Sequence, residues 1–217
     1  MMRWSRPDIW NAVRECSRRM TIANQIHYKA MIRIMKYCID TPNRGWTLKP
    51  NKIWNGKDKE VEFRISGESD SNYATCVDTR RSVTGYIVKI EDAIVAVRSI
   101  MQKIVALSVT EAEIIAMVQC IQEMLYVLKL MESMKLKIRK PMLIYCDNKA
   151  AVDLANGWSI GRGTKHIDCR LMFIRQLKEN NTIRIQWIPT ENNRSDIYTK
   201  NVDQETFDKH VKYICME

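Results

Sequence analysis

The pattern of apolar and polar positions predicts two helices at the start of the chain. The first begins near Pro7, a residue suited to an opening helical turn. The second runs from about Gln25 to Asp40, with apolar residues on one face at positions 26, 30, 34 and 38. A break at 41–45 and a polar, lysine-rich stretch follow. We therefore expect a helical segment over 1–48, a linker over 49–60 and a main domain over 61–217.

Beyond residue 61 the pattern changes to the alternation that is typical of β-strands. Apolar residues at 61, 63 and 65 alternate with polar ones and predict a half-buried strand. Two apolar segments, 86–90 and 93–97, flank Glu91-Asp92 and predict a hairpin. The run 142–146 lacks polar alternation, which predicts a central strand buried on both faces. A last strand is expected over 182–188, where we interpret Trp187 as a core residue.

Helical patterns are interspersed with the later strands. Ser108-Val109-Thr110-Glu111 matches a capping box at the start of a long helix with an apolar stripe. A short helix ends at Asn156-Gly157, another is expected over about 165–178, and a final helix begins near Ser195. Three strands, helix, strand, helices, strand and helix is an α/β order that begins with three antiparallel strands.

Charge adds a class of partner to this picture. The 217 residues include 35 basic and 25 acidic ones, which gives a formal net charge of +10. Such an excess suits a polyanion such as nucleic acid. A solvated face rich in lysine and arginine would give the same count, so charge alone leaves both interpretations open.

Cysteine usage and the apolar runs bear on location. The seven cysteines include no CxxC pair, which favours reduced thiols in an intracellular protein and argues against a zinc site. No uninterrupted apolar stretch is long enough to span a bilayer, and the first residues do not resemble a signal peptide. We expect an intracellular protein, most simply cytoplasmic with nuclear access left open, and no membrane partner.

Four acidic residues lie where the predicted strands end or the predicted helices begin: Asp70, Glu113, Asp147 and Asp196. Carboxylates from different elements repel one another unless a cation joins them. In such clusters Mg²⁺ is held by a few carboxylates and keeps positions open for phosphate and water. Singly, each acid is more simply structural or solvated, and Asp196 also suits a helix N-terminus. Together, in this order, they predict a metal site.

A series of short strings carries a family resemblance. In order they are Ser69-Asp70, Asp78–Tyr86, Ala106–Glu113, Tyr145–Ala151, Thr164–Arg170, Ile188–Thr190 and Ser195–Lys200. Over most of residues 61–200 the chain resembles the ribonuclease H domain at the end of the polyprotein of copia-type retrotransposons. The segment from residue 5 to 37 resembles the helical tail of the preceding reverse transcriptase.

The resemblance implies a ribonuclease H-like fold: a mixed five-stranded sheet flanked by helices and preceded by a small helical segment. It implies a catalytic, metal-binding set of Asp70, Glu113, Asp147 and Asp196, with two Mg²⁺ ions or Mn²⁺ in their place. Glu113 is preferred to Glu111 because the family's catalytic Glu is the second acid of Thr-Glu-Ala-Glu. The implied activity is hydrolysis of the RNA strand of RNA–DNA hybrids. The implied partners are that hybrid and the reverse transcriptase portion of the same polyprotein.

Four residues are predicted to contact the substrate: Ser69, Arg80, Arg81 and Asn148. The two arginines would contact phosphates, although exposed loop arginines are more often simply solvated. Asn148 would reach the minor groove or a 2′-hydroxyl, or cap the helix that follows it, and neither role is favoured.

Departures from the family pattern keep an alternative open. The family usually has a second Asp where this chain has Asn72, and it usually has Gly-Tyr where this chain has Gly67-Glu68, which indicates drift. Cellular ribonucleases H carry a histidine before the last Asp, and the stretch 189–195 contains none. The alternative function is a catalytically inactive, retroelement-derived nucleic-acid-binding module.

Overall fold

Two sheets and six α-helices make up the part of the chain that the computed structural model describes, residues 5–51, 55–56, 61–157 and 165–216. Positions 52–54 and 57–60 of the predicted linker and position 164 of the family strings lie outside the described residues. The strands are β1 (Gly45–Trp46), β2 (Glu62–Asn72), β3 (Val83–Ile90), β4 (Ala93–Met101), β5 (Lys137–Cys146), β6 (Ile183–Trp187) and β7 (Cys215–Met216).

The helices lie at the predicted places with small shifts in their ends. They are α1 (Trp10–Ser17), α2 (Gln25–Asp40), α3 (Val109–Ser133), α4 (Lys149–Asn156), α5 (Lys165–Glu179) and α6 (Gln204–Ile214). Short 3₁₀ helices are Pro7–Ile9, Met20–Ile22, Thr190–Asn192 and Arg194–Tyr198. We call Arg194–Tyr198 the site helix, because it carries Asp196. The prediction of one final helix from Ser195 is wrong: the site helix comes first and α6 begins at Gln204.

The main sheet has the strand order β4-β3-β2-β5-β6. Strands β2, β3 and β4 are antiparallel, whereas β5 is parallel to both β2 and β6. This order confirms the predicted α/β fold with a mixed five-stranded sheet and three antiparallel strands first. The predicted hairpin is confirmed as well. Both turn residues, Glu91 and Asp92, have positive φ angles of 46° and 65°, as a type I′ turn requires.

Helix α3 packs across one face of this sheet and supplies more residues to the larger core than any other element. Ile114, Met117 and Ile121 on α3 are fully buried. By length and hydropathy α3 would also suit a membrane span, but this burial against the sheet is that of a core helix. At its start the Ser108 hydroxyl accepts from the Glu111 N–H at 3.1 Å, while Glu111 Oε2 accepts from the Leu107 N–H. The cap therefore differs from the predicted capping box in one bond, because the Glu111 carboxylate accepts from the N–H of Leu107 and not from that of Ser108.

The opposite face of β3 and β4 is covered by the N-terminal segment, the site helix and α6. Trp10 packs there with Ile87, Ile94 and Tyr198 in a second buried cluster. Arg14 Nε donates to the Ser99 hydroxyl at 2.8 Å, and that hydroxyl donates to the Tyr198 carbonyl. These contacts join the segment 5–48 to the sheet, and the division of the chain at residues 48 and 60 stays a prediction.

The second face of the sheet is left partly open beside β5 and β6, which corrects two predictions. Met142, Ile144 and Cys146 are buried, but Leu143 and Tyr145, which point to the other face, are half-buried. The prediction that β5 is buried on both faces is therefore wrong. Trp187 is not a core residue either: it is the last residue of the edge strand β6, and its exposed fraction is 51%.

Candidate metal-binding active site

The four predicted carboxylates come together at one edge of the main sheet. Asp70, Asp147 and Asp196 each offer an oxygen within 4.8 Å of the others. Glu113 offers an oxygen within 4.8 Å of the same Asp147 side chain and of the Cys146 sulfur. The structure thus brings all four acids into one cluster, which we call the carboxylate cluster. Their catalytic role stays a prediction.

Strand pairing explains how two of these acids become neighbours. In the parallel pairing of β2 with β5, Ser69 lies opposite Cys146. Asp70 follows Ser69 and Asp147 follows Cys146, so the two acids lie side by side at the carboxyl edge of the sheet. This is the edge at which open α/β sheets bind their ligands. Asp70 lies within β2, which continues to Asn72, and not at the end of its strand as predicted.

The site helix brings Asp196 to the cluster by packing closely on β3. Gly85 lies opposite Asp70 in the pairing of β2 with β3. A Cβ atom at Gly85 would lie 2.8 Å from the Ser195 carbonyl oxygen and 2.6 Å from Thr199 Cγ2. No other residue type fits this gap without a shift of the backbone. Gly85 is therefore what lets the site helix, with Asp196, approach Asp70.

Glu113 enters the cluster from the first turns of α3 and is 3% exposed. Its Oε1 accepts from the Ser71 N–H at 3.2 Å, and its Oε2 accepts from the Cys146 thiol at 3.7 Å. Burial and the nearby charges of Asp70 and Asp147 raise the pKa of Glu113 well above its ordinary value. A carboxyl group that is buried beside other carboxylates is stabilised either by binding a proton or by binding a cation.

Burial also raises the pKa values of Asp70 and Asp196, and the nearby charge of Lys200 lowers them in part. Burial raises the pKa of Asp70, while the Lys200 charge and a hydrogen bond from the Thr199 hydroxyl work against the rise. Burial and the charge of Asp70 raise the pKa of Asp196 to about 7, although Lys200 Nζ lies 2.8 Å from its Oδ2. Burial lowers the pKa of Lys200, but Asp70 and Asp196 outweigh it and the pKa is raised.

The cluster has the chemistry of a site for a hard divalent cation. Asp196 Oδ1 is buried and has no hydrogen-bond partner among the described residues. Several carboxylates face one another in a space where one ammonium group, that of Lys200, is in contact with Asp196. Oxygen ligands of this kind suit Mg²⁺ or Mn²⁺ rather than a soft metal. The residues present therefore fit the predicted ions.

The predicted substrate contacts lie in different surroundings. Arg80 and Arg81 are exposed in the loop between β2 and β3. Asn148 caps α4, with its Oδ1 accepting from the Ala151 N–H at 2.9 Å, so the capping alternative is observed. Ser69 is fully buried and its hydroxyl donates to the Tyr145 carbonyl at 3.4 Å. A substrate contact by the Ser69 side chain does not fit this placement, because the sheet encloses it.

A buried ion pair that sequence reasoning missed ties the site helix to β2. Glu68 is 2% exposed, and its Oε1 lies 2.6 Å from Lys89 Nζ and 2.8 Å from Arg194 Nη1. Its Oε2 accepts from the Arg194 N–H at 3.0 Å. Arg194 opens the site helix, so Glu68 holds the element that carries Asp196. The residue that departs from Gly-Tyr at this position therefore has buried partners of its own, and the interpretation as drift stays a prediction.

Two further neighbours of the cluster, Thr199 and Lys200, were not singled out individually from sequence. The Thr199 hydroxyl donates to Asp70 Oδ2, and the Asn72 side-chain amide donates to the Thr199 carbonyl at 3.3 Å. Trp187 Nε1 donates to the Asp147 carbonyl at 2.8 Å. Thr199 and Lys200 do lie in the string Ser195–Lys200, and this was the one signal that could have revealed them.

Comparisons with known proteins find relatives that match nearly the whole chain. The retrovirus-related Pol polyprotein from transposon TNT 1-94 of Nicotiana tabacum is 32% identical over 204 residues, 94% of this chain. The corresponding polyprotein from transposon RE1 of Arabidopsis thaliana is 29% identical over 97% of this chain. The chain spans 14% of the length of each of these two relatives.

Other comparisons cover less of the chain. Secreted RxLR effector protein 161 of Plasmopara viticola is 33% identical over 119 residues, 55% of this chain and 78% of that protein. No protein-family model matches the chain. Among solved structures, LC11-RNase H1 isolated from compost aligns with a TM-score of 0.49 and 15% identity, over 67% of this chain and 96% of that one.

The relationship rests on sequence similarity across nearly the whole chain, and the fold rests on the strand order of the main sheet. Both agree with the resemblance carried by the short strings, which is thereby confirmed. The chain is homologous, over nearly its whole length, to part of the retrovirus-related Pol polyproteins of copia-type plant transposons, and it has a fold of the ribonuclease H type.

Proposed function

We propose that this chain hydrolyses the RNA strand of RNA–DNA hybrids, with divalent metal ions, during retrotransposon reverse transcription. The observation that supports it most is the carboxylate cluster, in which Asp196 Oδ1 is buried without a partner. The similarity to transposon Pol polyproteins adds the biological setting. A net charge of +10 suits a polyanionic substrate.

Four residues would hold the metal: Asp70, Glu113, Asp147 and Asp196. When bound, two Mg²⁺ ions, or Mn²⁺ in their place, supply Lewis-acid activation of the phosphate and of the attacking water. The chain's own groups keep these ligands in place. The Ser71 N–H orients Glu113, and the Thr199 hydroxyl orients Asp70.

Lys200 complements the cluster at its partly exposed side. Its ammonium group balances negative charge on Asp70 and Asp196, and its side chain is 38% exposed, so it also meets an incoming phosphate. Positive charge beside a phosphodiester stabilises the charge that develops as the bond breaks. Recognition of RNA would use the 2′-hydroxyl and the A-form-like shape of the hybrid, with little dependence on base sequence.

The proposal extends to partners and location. The chain would act together with the reverse transcriptase portion of the same polyprotein, since its relatives are polyproteins of which it spans 14%. We propose an intracellular site of action, in the cytoplasm with nuclear access. All seven cysteines have free thiols, which is consistent with a reducing compartment.

The test is cleavage of an end-labelled RNA strand in an RNA–DNA hybrid with Mg²⁺, compared with EDTA and with duplex DNA. The Asp147→Asn variant should lose cleavage. Asp208→Asn is the matched control, because Asp208 is half-buried on α6 and its Oδ2 accepts from the Gln204 side-chain amide, away from the cluster. If the folded protein binds the hybrid but never cuts it with Mg²⁺ or Mn²⁺, the chain is an inactive nucleic-acid-binding module instead.

A further inference from the structure

The indole of Trp187 lies beside the carboxylate cluster and is open to solvent. We propose that Trp187 is a substrate-binding residue, whose ring packs against a nucleotide of the RNA strand next to the phosphate that is cut. The inference rests on the proposed function and adds a contact that neither the family strings nor the predicted substrate residues include.

Strand register places the indole next to the reacting groups. Trp187 lies opposite Cys146 in the parallel pairing of β5 with β6, and Asp147 is the next residue. The indole N–H donates to the Asp147 carbonyl at 2.8 Å. The ring therefore stands at the carboxyl edge of the sheet, where Asp70 and Asp147 present their carboxylates.

The exposure of this ring is unusual for its position in the strand. Ile183 and Ile185 of β6 point into the core, and alternation would place Trp187 on the same buried face. Instead 51% of Trp187 is exposed. Its one polar group is satisfied by the Asp147 carbonyl, so the flat apolar faces are what remains available to a ligand. A ring already held in place loses little conformational freedom on binding.

A nucleotide is the ligand class that fits a fixed, exposed aromatic ring beside a phosphate-binding site. Aromatic side chains pack on the faces of bases and sugars irrespective of base identity. The minor groove of an A-form-like duplex is wide and shallow, so a ring at its floor reaches the sugars. The carboxylate cluster would hold the scissile phosphate through its bound metal ions, which leaves the adjacent nucleoside for the ring.

The test measures the Kd of a fluorescently labelled RNA–DNA hybrid by anisotropy, with Ca²⁺ in place of Mg²⁺. Trp187→Ala should weaken binding about tenfold, the loss typical of one aromatic stacking contact. Trp187→Phe keeps an aromatic face but loses the N–H bond to Asp147, and should bind within about twofold of wild type. Tyr126→Ala is the matched control, because Tyr126 is 64% exposed on α3, several turns beyond Glu113.

The variants separate the ring from its hydrogen bond and from the proposed function. If the wild-type protein binds and cuts the hybrid, an unchanged Kd in Trp187→Ala would overturn the inference and leave the proposed function intact. Equal losses in Trp187→Phe and Trp187→Ala would also overturn it, because the N–H and not the ring would then matter. Absence of hybrid binding by wild type would instead refute the proposed function. Far-UV circular dichroism confirms that each variant is folded.

Discussion

Replacing Glu68 by Ala should destabilise the protein by about 3–5 kcal/mol, the range typical of removing one partner from a buried ion pair. Glu68 is 2% exposed and accepts from both Lys89 and Arg194. Its removal leaves two cations without their acceptor. The Lys89 side chain is 6% exposed, whereas that of Arg194 is 31% exposed and is more easily hydrated. Lys89 therefore carries most of the expected loss.

Urea unfolding followed by far-UV circular dichroism measures this loss. For a chain of this size each kcal/mol corresponds to roughly 2–4 °C in Tm, so thermal unfolding should shift by about 6–20 °C. Adding Lys89→Met should recover stability relative to Glu68→Ala alone, because an apolar residue of similar length replaces the stranded charge. Because Arg194 opens the site helix, Glu68→Ala should also raise the Mg²⁺ concentration needed for half-maximal cleavage.

A surface ion pair provides the comparison for the Glu68 experiment. Glu132 and Lys140 lie 3.3 Å apart with side chains 49% and 42% exposed, so Glu132→Ala should cost at most about 1 kcal/mol. If Glu68→Ala is destabilised by no more than Glu132→Ala, the buried network does not hold the site helix. A loss in Glu68→Ala that Lys89→Met fails to reduce would show that Lys89 is not the stranded group.

Three further predictions concern the cluster and its supports. Gly85→Ala should lower cleavage about 100-fold by displacing the site helix. Gly67→Ala would meet the side-chain sulfur atoms of Cys120 and Met124 and no backbone atom closer than 3.5 Å, so it should cost stability but keep activity; equal activities would contradict this. Burial raises the pKa of Asp196 to about 7, above its value in the unfolded chain. The metal-free protein therefore takes up a proton on folding, and this contribution makes the folded state more stable as pH falls from 8 towards 5. A Tm that rises with pH in EDTA over this range would refute that reasoning. Saturating Mg²⁺ should raise Tm at pH 8 and flatten the pH dependence, since the cation then replaces the proton; an unchanged Tm would contradict the metal site.

Local patterns were enough to predict most of the secondary structure. Periodicity located α2 and the hairpin around Glu91-Asp92, because helical spacing and turn residues act over a few positions. Burial was predicted less well. The openness beside Leu143 and Tyr145 depends on where the covering helices lie, which no local pattern records. The prediction for Trp187 was wrong for the same reason: alternation predicts the face of the sheet on which a side chain lies, but not whether another element covers it there.

In the candidate site, too, residues with a local sequence signal were predicted and residues that depend on long-range contacts were not. The acids Asp70, Glu113, Asp147 and Asp196 were predicted from their places at element ends and from the family strings. Glu68 was not, since its partner Arg194 lies 126 residues away in the chain and only the fold brings them together. Networks formed by distant residues leave no periodic trace in a single sequence, which is why the supports of the cluster emerged only from the structure.

If the carboxylate cluster, with bound metal ions, hydrolyses the RNA of a hybrid, the chemical nature of the product ends will reveal it. The measurement incubates the protein with an RNA–DNA hybrid and Mg²⁺ and identifies the ends of the RNA fragments by mass spectrometry. Attack by water with a 3′-oxygen leaving group predicts 5′-phosphate and 3′-hydroxyl ends, formed from the hybrid and abolished by EDTA. No cleavage, or 2′,3′-cyclic phosphate ends that persist in EDTA, would refute metal-dependent hydrolysis at the carboxylate cluster.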